Sequence, residues 1–142
     1  MKQSDITPEV IRLSKEIAKH WRMDIYKGCW VYEDWDKIDE QTDVGLVQWA
    51  DGEMFYTTGS KMDNKKDGVT PIPSISDCLE KLRELGWYVE TMHNRLFFTN
   101  TQDHRWDVEI AMEEGKFFND TVTQGKTLHE ALLSALLEVV DK

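Results

Sequence analysis

Residues 71–86, Pro71-Ile-Pro-Ser-Ile-Ser-Asp-Cys-Leu-Glu-Lys-Leu-Arg-Glu-Leu-Gly86, constrain the fold more than any other stretch of the chain. Two prolines, at 71 and 73, stop whatever precedes, because neither carries a backbone N–H. Ser74 then reads as a helix cap, with Asp77 three residues on in the capping-box position. Ile75, Cys78, Leu79, Leu82 and Leu85 repeat at helical spacing, and Gly86 supplies a left-handed stop. A one-faced helix of this kind needs an apolar surface to lie on.

The residues after it supply strands. Residues 87–92 and 95–99 read as a hairpin about His93-Asn94, since Asn tolerates the positive φ of such turns. In that register Val89 faces Phe98 and Thr91 faces Leu96, so Trp87, Val89, Thr91, Leu96 and Phe98 share one sheet face. Residues 105–112 alternate, with Trp106, Val108, Ile110 and Met112 inward and Arg105, Asp107 and Glu109 outward. Glu113-Glu114-Gly115-Lys116 turns the chain, and 117–122 read as a fourth strand. The hairpin's other face carries Tyr88, Met92 and Phe97 beside Glu90 and Arg95, which predicts cover on that side too.

Thr127 caps the last helix, with Glu130 at the capping-box position. Leu128, Ala131, Leu132, Ala135, Leu136 and Val139 form its main stripe, and Leu133, Leu137 and Val140 a second. A helix apolar on two sides is either central to its fold or buried against a partner. Homodimerisation through this helix is one expectation.

The first half is less regular. Thr7 is an N-cap, Pro8 takes the first helical position and Glu9 suits the positive end of the dipole. Ile6 and Ile11 have the spacing of a hydrophobic staple, and Val10, Leu13, Ile17 and Trp21 form one stripe. Residues 29–32 read as an aromatic strand, and 46–49 with 54–57 as a hairpin around Ala50-Asp51-Gly52. Residues 58–69, with Gly59, Lys61, Asp63, Asn64, Lys65, Lys66, Asp67 and Gly68, read as a polar and mobile loop.

A chain of 142 residues suits one domain that buries about two-thirds of its unfolded surface. The alternative divides it into a subdomain 1–57, a polar loop 58–70 and a helix–strands–helix unit 71–142. A first part with one helix and three short strands is thin on its own, so a single domain is preferred. Against 17 Lys and Arg stand 27 Asp and Glu, a net charge of −10. That balance argues against direct phosphate-backbone binding and against an anionic membrane surface, and favours a basic partner. Only Cys29 and Cys78 are present, both read as small buried hydrophobes rather than a disulfide or zinc framework. With no apolar signal core at the start and no span of 18 apolar residues, the expected setting is a reduced cytoplasm.

Several motifs invite chemistry and fail on detail. Gly125-Lys126-Thr127 resembles the end of a phosphate loop, but Asp120 stands where the earlier glycine must be. Gly125 is better read as a turn and Thr127 as a cap. Residues 33–43 hold six acids and one Lys, and Asp34 and Asp36 have the alternate spacing of calcium loops. The glycine and distal Glu of such loops are missing, and lysines occupy the ligand positions of Asp63-Asn-Lys-Lys-Asp67-Gly68. Hence no metal and no cofactor is expected. His104, Asp107 and Glu109 are the closest approach to a catalytic cluster, with Asp103 beside them; they would serve a small hydrolase by acid–base or metal chemistry. Equally, polar residues on the exposed face of a strand need no function. Trp30, Trp35 and Trp49 lie near the acids and would suit a pocket for a cationic or ring-bearing ligand, whereas Trp87 and Trp106 read as core.

The order of the second half is a capped helix 74–85, Gly86-Trp87 into strands, Trp106-Asp-Val-Glu-Ile110, then Thr127-Leu-His-Glu-Ala-Leu-Leu-Ser-Ala-Leu. It resembles small uncharacterised phage and prophage proteins of the phage α–β–α sandwich type, over residues 73–140 only. The resemblance implies a three-layer fold and an accessory phage role in a host cytoplasm, with no catalytic residues to carry over. Together these readings predict an α+β chain: an antiparallel sheet of four to six strands with helices on both faces. Its expected function is non-enzymatic. It would bind a host or phage protein through an acidic surface that includes Asp34, Asp36, Asp39 and Glu40, in one form imitating nucleic acid charge. A small-molecule or nucleotide binder built on the tryptophans, and a small hydrolase, are the alternatives.

Overall fold

The computed structural model describes residues 5–33, 44–50, 53–58, 61–63, 69–96, 104–112 and 121–140. Among these residues the fold is α+β, with antiparallel sheets and three helices. Instead of one sheet there are two, in two compact units, Met1–Ser74 and Ile75–Lys142.

The N-terminal unit opens with α1, Pro8–Ala18. Thr7 Oγ1 accepts from the Val10 N–H at 3.2 Å and Pro8 starts the helix, the arrangement its sequence predicts. One face is buried through Val10, Leu13, Ser14 and Ile17. Further on, the Cys29 N–H donates to the Tyr26 carbonyl at 3.1 Å, with Gly28 at φ 93°, a position only glycine takes without strain. The Gly28 N–H donates to Val47 O, and Val47 N–H to Cys29 O, both at 2.9 Å. Two residues thus oppose one, a bulge of the type that needs a left-handed glycine.

Five strands follow: β1 Trp30–Glu33, β2 Val44–Ala50, β3 Glu53–Thr58, β4 Lys61–Asp63 and β5 Val69–Ile72, in sheet order β4-β3-β2-β1-β5. β2 serves two neighbours, pairing β1 through Val44, Gly45 and Leu46, and β3 from Val47 to Ala50. Ala50 pairs Glu53, so β2 and β3 are antiparallel neighbours as expected; Asp51 and Gly52 lie outside the described residues. The supposed loop 58–69 contains a strand pairing instead: Thr58 ends β3, Lys61–Asp63 pairs back on it, and Val69 begins β5. Residues 64–68 lie outside the described residues. Pro71 does not sit in a helix approach but in β5, opposite Val31. Among the described residues β5 is an edge strand that pairs only with β1, a position that tolerates proline because its outer side carries no ladder bond. Met23, Cys29, Val31 and Val47 form a core cluster here, with Trp21 and Ile25 partly buried against it.

The C-terminal unit runs α2 Ile75–Glu84, β6 Trp87–Leu96, β7 His104–Met112, β8 Thr121–Gly125 and α3 Leu128–Val140. Its strands form an antiparallel meander, β6-β7-β8. Ser74 occupies the N-cap position of α2, and Gly86 at φ 86° ends it, its N–H donating to Arg83 O at 3.0 Å. Of the α2 stripe only Cys78 and Leu82 are fully buried; Ile75 and Leu85, at the two ends, are exposed. α2 packs on β6 and on α3, and α3 on β7 and β8, so the two helices lie side by side on one face of the sheet. That face carries Trp87, Val108, Ile110 and Thr123, all buried.

The sequence reading of β6 needs correction. Residues 87–96 form one strand, with His93 and Asn94 inside it and no hairpin between them; the strand pairs His104–Met112. His-Asn lacks the second-position glycine that makes such a turn easy. The register shifts between Val89 and Thr91, leaving Glu90 as the extra residue. This bulge reverses the alternation, so Thr91 moves to the outer face beside Glu109, and Met92 to the inner face beside Val108. Phe97 and Phe98 lie outside the described residues, as do 117–120; the last strand begins at Thr121.

α3 is the central helix of its unit. Ala131, Leu132, Leu133, Ala135 and Leu136 are all fully buried, so residues from both apolar stripes are covered within one chain. Among the described residues no helix is long and apolar enough to cross a membrane.

Candidate functional site

The sequence-predicted polar cluster falls on β7, the middle strand of the C-terminal sheet, and the pairing decides which of its members meet. Asp107 lies between His93 on β6 and Gln124 on β8, and Glu109 between Thr91 and Val122. The outer face is therefore a grid: Tyr88 and Ala111, then Thr91, Glu109 and Val122, then His93, Asp107 and Gln124. Tyr88, Thr91, His93, Arg105, Val122 and Gln124 are exposed, whereas Asp107 is buried at the centre. Arg105 Nη1 donates to Gln124 Oε1 at 2.8 Å, and Thr91 Oγ1 to Glu109 Oε2 at 3.4 Å, the long end of a hydrogen bond.

His104 stands at the start of the same strand. Its backbone begins β7 opposite Leu96, three residues before Asp107. The histidine that the fold brings beside Asp107 is His93. Sequence reasoning missed it by placing it in a turn; the absence of glycine after His93, and an alternation that resumes past Glu90, are the signals that would have found it. A His beside a carboxylate can orient and exchange a proton. The neighbours on the grid provide no serine, cysteine or lysine nucleophile, and among the described residues no group of three His, Cys, Asp or Glu could hold a metal ion.

The proposed binding residues are distributed differently. Asp34, Trp35, Asp36, Asp39 and Glu40 lie outside the described residues. Trp30 begins β1, half-buried and paired with Leu46 and Ile72; Trp49 is in β2, paired with Met54.

At the start of α3 the geometry explains Gly125-Lys126-Thr127 without a ligand. Thr127 Oγ1 accepts from the Glu130 N–H at 3.1 Å, and Glu130 Oε2 accepts from the Thr127 N–H at 3.0 Å, a complete capping box. A Cβ on Gly125 would stand 2.5 Å from the Ala131 nitrogen, so the glycine lets β8 run close under the helix. Thr123 Oγ1 donates to the Ala131 carbonyl at 2.8 Å across the same contact. Both cysteines are buried and outside any disulfide, and burial pushes the Cys78 thiol far up, keeping it protonated and inert.

Compared with known proteins, the chain matches no family model, no curated protein and no solved structure.

Proposed function

We propose that this protein is a non-enzymatic binding protein that engages a basic surface of another protein through the acids of residues 33–43. One observation carries the reading: six acids and one Lys in eleven residues, about half of the net charge of −10. That run joins β1 to β2, which are paired at Tyr32 and Val44, so its two ends are held at neighbouring positions on one end of the sheet. A charge density anchored this way would attract cationic partners and speed their encounter, and it would repel nucleic acid phosphates. Imitation of nucleic acid charge at a basic protein site is the specific form this takes. The phage or mobile-element setting belongs to the proposal and rests on the resemblance of residues 73–140. So does the three-layer arrangement, in which a further layer would cover the outer face of β6–β8.

The test is a charge reversal. Partners captured by the intact protein from its native host should be lost when Asp34, Asp36, Asp39 and Glu40 are changed together to Lys. Their affinity should also fall steeply between low and physiological salt. Binding indifferent to both would remove the proposal.

A further inference from the structure

We draw no further inference here: the strongest candidate, the outer face of β6–β8 with Tyr88 and Val122 exposed around the neighbouring His93 and Asp107, carries none because nothing among the described residues shows what covers it.

Discussion

The N-terminal unit closes its sheet over a long stretch of chain, while the C-terminal unit builds from neighbours in sequence. β1 must wait for β5, about forty residues later, before both its sides are paired; β6, β7 and β8 pair each with the next. The cores differ in the same sense. The first unit gathers Met23, Cys29, Val31 and Val47 around a bulge, and the second sets a fully buried helix face of Ala131, Leu132, Leu133, Ala135 and Leu136 on a sheet. The two units differ in how they are built: the second buries one continuous helix face, while the first carries the chain's clustered charge between β1 and β2.

The strongest way to break that comparison is to remove apolar volume from α3. Leu136→Ala, at a fully buried site, should cost about 2–5 kcal/mol in urea unfolding. Amide exchange should quicken first in residues 75–142; equal loss throughout the chain would show that the two cores share one stability. Next comes Gly125→Ala, which drives a methyl group into the Ala131 backbone and should cost about 1–3 kcal/mol. Gly86→Ala meets no atom within 4 Å, so its cost should be the smaller backbone strain alone, about 1 kcal/mol for a Cβ held at positive φ. If the two glycines cost the same, close approach is not what Gly125 provides.

The smallest effect concerns α1. The Arg12 guanidinium, hydrogen-bonded to Glu9, holds that carboxyl below its ordinary range and raises the guanidinium in turn. A depressed carboxylate stabilises the fold above its unfolded pKa, and the contribution is lost as pH falls through the folded value. Both side chains are largely exposed, so screening leaves the pair under about 1 kcal/mol. Arg12→Ala should therefore lower thermal stability slightly at neutral pH and not at all in strong acid. A larger neutral-pH loss would mean that α1 depends on its surface charges more than on Val10, Leu13 and Ile17.

Much of this was legible in the residues alone. Thr7 and Pro8, the Thr127–Glu130 box and the stop at Gly86 all stand where their side chains predict. Each depends on atoms within about four residues, and local chemistry is enough to place it. The inward alternation of Val108 and Ile110 was equally plain. The candidate site was legible only in part: Asp107 and Glu109 share a face as their spacing requires, but the pairing of His93 with Asp107 was not foreseen.

What only the tertiary structure decided are the pairings between remote segments. Pro71 and Ile72 became an edge strand because β1, far back in the chain, needed a neighbour. The bulge at Glu90 turned Thr91 and His93 outward because the pairing of β6 with β7 shifts there by one residue, and one residue is enough to exchange the faces. Gly125 earned its place from the backbone of α3 above it rather than from any turn. Caps and stops are settled within a turn of helix; which face a side chain finally presents is settled by the strand it lies against.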